Sequence, residues 1–283
     1  MPDAMTACYY LSPRFVAVSG DTAPVIDPAT LEQVGQRAVV SPDEAEVVLA
    51  QVAAAQKDWA ATDAKTRAKH LHDLAHRIEA MDMTRCATLM SREMGKPYPE
   101  AIGEVANCAP VFRYYAEMAR DEAGKVAGTT QAGSLQYARY EPYGVSAHIM
   151  PFNFPILLMC WTVAASLAAG NGCVVKPAEA TTLSTLEFMQ VFDGLPEGLV
   201  ACLPGDADLG QALVESERTH AIAFTGSVAA GRAVAAAAGA RMKPTIIEAG
   251  GSDPMIITDH APLEVAAAGA VTGAIHLTGQ VCT

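Results

Sequence analysis

The stretch GVSAHIMPFNFPILLMCWTVAASLAAGNGCVVKP, Gly144 to Pro177, decides how this chain folds. Its first apolar run, Val145 to Met150, has the length of a strand and is apolar on both faces. Ile156 to Ala169 has the length of a helix, and Gly172 to Val175 is a second short apolar run. Further runs read as strands at Leu199–Leu203, Ala221–Phe224, Thr245–Ile247 and Met255–Ile257. Helical stretches come between or after them at Thr182–Phe192, Leu209–Glu215, Val228–Ala238 and Pro262–His276. Strands apolar on both faces, alternating with helices, predict an α/β fold built on a doubly wound parallel sheet.

Upstream the chain is helix-rich. Ser41-Pro42-Asp43-Glu44 forms a capping box with proline at the first helical position, and Ala45, Val48, Leu49, Val52 and Trp59 follow on one stripe. A second stripe runs Ala68, Leu71, Leu74, Ala75 and Ile78, and helix is expected on to Met94, where Gly95-Lys96-Pro97 stops it. A third helix, Glu100 to Ala119, is expected to be kinked or divided at Pro110. The first forty residues are mixed and punctuated by proline, with a strand-like piece at Phe15–Val18. The division expected is a helix-rich part over 1–133, a projecting strand or hairpin over 134–143, a sheet core over 144–273, and the start of a further domain over 274–283.

Composition bounds the function. At 283 residues and 51% hydrophobic, the chain is long enough to bury a core. A formal charge of −12 argues against nucleic acid or an anionic membrane as partner. Met1 to Arg14 lacks the pattern of a secretory signal, and the longest apolar run, Ile156–Gly170, is too short to span a bilayer. The 7 cysteines are odd in number, scattered and without a CxxC pair, so a structural zinc or disulfide framework is not expected and a reducing, cytoplasmic setting fits.

In a sheet of this kind ligands bind beyond the carboxyl ends of the strands, and the unusual residues stand there. Pro151-Phe152-Asn153-Phe154-Pro155 places an amide between two backbone-fixing prolines; it reads either as a rigid turn or as a fixed donor for an oxyanion. Lys176 and Glu179 can bond ribose hydroxyls, or form a surface ion pair. Gly226 and Ser227, with Gly231 a helical turn later, suit a phosphate at a helix start, or a plain serine cap with a packing glycine. The GxGxxG fingerprint is absent. Glu248, before Gly250-Gly251-Ser252-Asp253-Pro254, is a general base or a loop acid. Six cysteines, Cys8, Cys86, Cys108, Cys160, Cys173 and Cys202, read as small apolar residues, while Cys282 follows Gly279-Gln280 with room for a reactive thiolate.

The ordered set of five motifs resembles the aldehyde dehydrogenase superfamily, and the likeness runs from about Val25 to the last residue. Met94-Gly95-Lys96-Pro97 and Tyr114-Tyr115-Ala116 also look like that family's helical region. The resemblance implies a Rossmann-like cofactor domain, NAD as cofactor, a small aldehyde as substrate and a homo-oligomer in full-length members. It implies that Cys282 attacks the aldehyde, that Asn153 and the Cys282 N–H hold the oxyanion, and that Glu248 activates the hydrolytic water. It places Lys176 and Glu179 on the ribose, Gly226 and Ser227 on the pyrophosphate, and Pro151 and Phe152 among the cofactor-binding residues, with no metal needed. Glu179 should repel a 2′-phosphate, so NAD is expected over NADP. The glycine-rich run after Glu248 and the Met94–Pro97 segment look closest to the succinate-semialdehyde branch.

The chain departs from the family pattern in three places. Phe152 stands where many members have tryptophan, Ala249 replaces leucine, and the chain stops one residue after Cys282. With the catalytic domain largely missing, Cys282 is expected to be mobile, apolar surface to be exposed, and the chain alone to have little or no activity. The alternative is a non-catalytic dinucleotide-binding or oligomer-forming module.

Overall fold

The computed structural model describes residues 7–121, 124–128 and 131–282. Met1 to Thr6, the beginning of the segment read for a leader, lies outside them, as does Thr283. The strands are β1 (Cys8–Leu11), β2 (Arg14–Ala17), β3 (Thr22–Ile26), β4 (Gln33–Ala38), β5 (Gly124–Val126), β6 (Tyr137–Arg139), β7 (Val145–Ile149), β8 (Gly172–Lys176), β9 (Val200–Cys202), β10 (Ala221–Gly226) and β11 (Thr245–Ala249). The helices are α1 (Pro42–Ala61), α2 (Ala64–Ala80), α3 (Met83–Met94), α4 (Tyr98–Met118), α5 (Leu157–Ala169), α6 (Thr182–Phe188), α7 (Ala207–Glu215), α8 (Val228–Gly239) and α9 (Leu263–Ile275).

Seven strands form the main sheet in the order β11-β10-β7-β8-β9-β1-β2. The five from β7 to β11 are parallel, as their apolar runs and intervening helices predict. The chain leaves β7 toward β8 and β9, then returns to place β10 and β11 on the other side. The order therefore reverses between β7 and β10, where such sheets open a crevice for ligands. β1 and β2 extend the sheet antiparallel at its far edge, with Tyr10 opposite Cys202. The fold is thus an α/β doubly wound, Rossmann-like sheet with a helix-rich N-terminal part.

The helices begin and end where their sequence directs. Ser41 and Glu44 cap α1 reciprocally, and Gly95 closes α3 in the left-handed conformation at φ 80°. α4 runs undivided from Tyr98 to Met118 through Pro110, so of the kink or division expected there the division does not occur. Val105, Cys108, Val111 and Phe112, on either side of the proline, are all buried, and this packing outweighs the one hydrogen bond a proline removes. Met255–Ile257 is not a strand: no strand of the described residues pairs with it, and all three side chains are exposed. Beyond β10 the cover also thins. β11 is largely exposed, and α9 buries none of its residues although its sequence is apolar. Among the described residues no helix is long and apolar enough to cross a membrane.

Candidate active site

The turn that carries Asn153 is held from below. Helix α5 has no capping side chain of its own at Ile156. Glu104 of α4 serves instead: its Oε1 accepts the N–H of Ile156 at 2.9 Å and of Leu157 at 3.0 Å. The other oxygen of Glu104 pairs with Lys96 Nζ, both side chains being fully buried, and the ammonium stands 4.3 Å from the centre of the Phe154 ring. Burial draws the Lys96 ammonium below its usual range, with Glu104 opposing. Phe152 is half-exposed at 41%.

From this turn Asn153 Nδ2 donates to the main-chain oxygen of Gln280 at 2.8 Å. The Gln280 segment is held a second time by Glu100 at the start of α4, whose Oε2 accepts the Leu277 N–H at 2.8 Å and whose Oε1 lies 3.5 Å from His276 Nδ1. Leu277 is buried in the core, and Leu277, Thr278 and Gly279 all have positive φ, at 54°, 55° and 76°. Three left-handed residues in succession turn the chain sharply into Cys282.

Cys282 is half-buried, whereas the six other cysteines are buried free thiols. Its carbonyl oxygen would lie 2.9 Å from a Cβ at Gly251, so the glycine pair after β11 lets two backbones approach there. Glu248, at the end of β11, lies opposite Thr225 in the β10 register. Glu248 and Cys282 line one cavity of about 600 Å³, together with Trp161, Tyr115, His148 and Thr225. The sequence-predicted nucleophile and base thus share a cavity, and the amide donor bonds the peptide two residues before the cysteine.

The remaining predicted residues stand on the opposite sheet face or at its carboxyl rim. A second cavity, of about 430 Å³, is lined by α7 and α8 residues with Phe224 and Ile149 from the sheet; Lys176 is its one charged lining residue. Lys176 Nζ donates to the Pro177 carbonyl at 3.3 Å. Glu179 is exposed and lies 3.5 Å from Arg37 Nη2. Ser227 caps α8, its Oγ accepting the Ala230 N–H at 3.2 Å. Gly231 packs: a Cβ there would meet Ile247 at 3.1 Å. The bland reading of the Ser227 and Gly231 pair is therefore present in the structure, and the serine hydroxyl keeps its own proton to donate.

Comparison with known proteins decides the lineage. Residues 15–283 match the description of the Aldehyde dehydrogenase family. The chain belongs to this family. It is 35% identical over 271 residues to the Alpha-ketoglutaric semialdehyde dehydrogenase of Bacillus subtilis (strain 168), a match covering 94% of this chain and 55% of that protein. Among solved structures it is similar to PnpE from Pseudomonas sp. WBC-3, with a TM-score of 0.92 and 36% identity over 98% of this chain and 58% of PnpE. PnpE has also been solved in complex with nicotinamide adenine dinucleotide, with the same TM-score of 0.92. The chain therefore spans little more than half the length of these relatives.

For this aldehyde dehydrogenase chain, sequence reading singled out the residues at the strand ends and passed over those that support them. Arg37, Asp206, Glu100 and Glu104 carry no motif; apart from the Lys96–Glu104 pair, the groups they touch lie far along the chain. The one available signal was the nearness in sequence of Lys96, in the connection between α3 and α4, to Glu104 within α4.

Proposed function

We propose that the family's reaction, oxidation of an aldehyde to a carboxylic acid with NAD, is the function of this lineage, with Cys282, Glu248 and Asn153 in the roles the resemblance assigns. The observation that carries the reading is the shared cavity of Cys282 and Glu248, with the Asn153 amide bonded beside it to Gln280. The Cys282 thiolate adds to the aldehyde carbon and the carbonyl oxygen becomes an oxyanion. Asn153 has a second Nδ2–H to direct at that oxygen, alongside the Cys282 N–H. Loss of hydride from the same carbon leaves a thioester, and Glu248 takes the proton of the water that cleaves it, releasing the acid and restoring the thiolate. Bound NAD supplies the hydride acceptor.

The cofactor fits the residues present. The apolar cavity between α7 and α8 suits a purine ring, and Lys176 and Glu179 at its rim suit ribose hydroxyls. Gly226 and Ser227, at the start of α8, suit the pyrophosphate. Pro151 and Phe152 lie on the strand-end turn that borders the same crevice. PnpE, solved with NAD, supports this choice. A small semialdehyde is the substrate class, supported by the name of the B. subtilis relative and by the Gly250–Pro254 and Met94–Pro97 segments. Tyr137, Tyr140 and Tyr143, exposed on and after the β5–β6 ribbon, suit a pairing surface in a homo-oligomer. Seven free thiols suit a reducing, cytoplasmic setting.

The test has two arms. Calorimetry on the 283-residue protein is expected to show NAD binding. In a polypeptide that continues this chain to the length of its relatives, NADH formation from succinate semialdehyde is expected. Cys282→Ala should abolish it, and Glu248→Gln should leave a single burst with slow turnover. Wild-type turnover in both variants would overturn the assignment.

A further inference from the structure

Strand β4 delivers Arg37 to the rim of the cavity between α7 and α8. The delivery depends on Gly35, where a Cβ would stand 2.7 Å from Leu183 of α6, and on the Val40 N–H, which donates to Pro204 at 2.9 Å just before α7. Arg37 is 5% exposed. Its Nη2 lies 2.5 Å from Asp206 Oδ1 and 3.5 Å from Glu179 Oε2, while its buried Nη1 has no partner among the described residues. Asp206 is the N-cap residue of α7, yet its carboxylate makes no capping bond; it is committed to Arg37 instead. Lys176 feels the whole group. Its ammonium is lowered first by burial, Glu179 and Asp206 oppose the shift, and Arg37 adds to it. Two cations and two carboxylates thus balance at the place where the proposed cofactor site holds the ribose.

We propose that Arg37 and Asp206 set this protein's discrimination between adenine nucleotides with and without a 2′-phosphate. The inference rests on the reading that Lys176 and Glu179 hold the ribose. A 2′-phosphate brings about −1.5 to −2 charge to a rim that carries two half-exposed carboxylates, Glu179 and Asp206. Arg37 offsets Glu179, but Asp206 holds the nearer share of the guanidinium. The repulsion a 2′-phosphate meets is therefore fixed by how Arg37 is divided between two acids. Removing the charge of Asp206 releases Arg37 toward Glu179 and leaves the rim net positive. Removing Arg37 leaves two acids against one lysine. At separations of about 6 Å in a water-like dielectric, either change shifts relative affinity about fivefold, in opposite senses.

Calorimetry with adenosine 5′-monophosphate and adenosine 2′,5′-bisphosphate tests this without any turnover, because both probes lack the nicotinamide. In Asp206→Asn, whose side chain is half-exposed and easily replaced, the bisphosphate should gain about fivefold relative to the monophosphate. In Arg37→Met it should lose about as much, with Arg37→Lys in between. Both effects should shrink in high salt. Should Arg37→Met fail to fold, Asp206→Asn decides alone. A ratio unmoved in Asp206→Asn, with both probes still bound, overturns this inference and leaves the cofactor site standing. Failure of the unaltered protein to bind either probe overturns both.

Discussion

The side-chain amide of Asn153 donates to the main-chain carbonyl of Gln280 at 2.8 Å. An amide needed beside a reacting sulfur is thereby also a tether for the peptide that carries it, one N–H holding the chain and the other left over. Such a bond contributes about 1 kcal/mol. In Asn153→Ala, amide exchange over residues 277–281 is expected to quicken by up to about tenfold, read by deuterium-exchange mass spectrometry. Unchanged exchange would mean that Glu100 and the burial of Leu277 hold the segment without it.

Thr278 sits at φ 55° between Leu277 and Gly279. A β-branched residue is a poor occupant of left-handed backbone, which costs an L-residue about 1–2 kcal/mol. Asparagine tolerates the conformation and keeps a polar acceptor for Gln280 Nε2, which donates to Thr278 Oγ1 at 2.7 Å. Thr278→Asn is therefore expected to raise stability by about 0.5–1 kcal/mol, measured as a higher urea midpoint at unchanged slope. A lower midpoint would show that the threonine's own bonds outweigh the backbone strain.

The buried pair of Lys96 and Glu104 predicts an asymmetry. Glu104→Ala strips a carboxylate from two α5 amides and leaves Lys96 charged in the core, so it should cost about 3–5 kcal/mol. Lys96→Met leaves Glu104 with both N–H donors and the positive end of α5, and should cost clearly less. Urea unfolding of the two variants and their double mutant separates the pair's coupling from the capping. Equal losses would mean that the helix start contributes nothing to holding Glu104.

What the sequence made legible follows from range. The α1 cap, the α3 stop and the β7–α5–β8 unit are set by residues within a few positions of one another, and each formed as read. The strand ends were legible because parallel topology fixes where loops gather. Pro110 does not divide α4 because its local preference yields to the buried face of that helix. Met255–Ile257 misled because an apolar run becomes a strand only where another strand pairs with it. Arg37 and Glu100 escaped notice because their partners lie 169 and 177 residues along the chain, and a charge on an undistinguished helix or strand announces no partner.

His148 gives the pH dependence. Its ring is buried in β7, Nδ1 meeting Thr162 Oγ1 at 2.8 Å and Nε2 meeting Ser146 Oγ at 2.9 Å. The Thr162 hydroxyl also reaches the Met159 carbonyl and the Ser146 hydroxyl the Gly172 carbonyl, each at 3.1 Å, and the neutral ring donates through one nitrogen and accepts through the other. Burial pushes the imidazole down to about 3 from its ordinary 6.5. The nearby Cys173 thiol is pushed up to about 12 and stays neutral throughout. The unfolded chain therefore binds a proton at His148 between pH 6.5 and 3 that the folded chain refuses, and stability must fall as the pH drops through that window. Between pH 6.5 and 5 this group alone removes about 2 kcal/mol. Glu93, buried and pushed up to about 7, works in the opposite sense, favouring the fold toward lower pH, so only a comparison of variants isolates the histidine. His148→Gln is expected to be less stable than the unaltered protein at pH 7 and to lose about 2 kcal/mol less on going to pH 5, read from urea unfolding at the two pH values. Parallel losses in the two proteins would mean that the folded state accepts the proton at His148 after all.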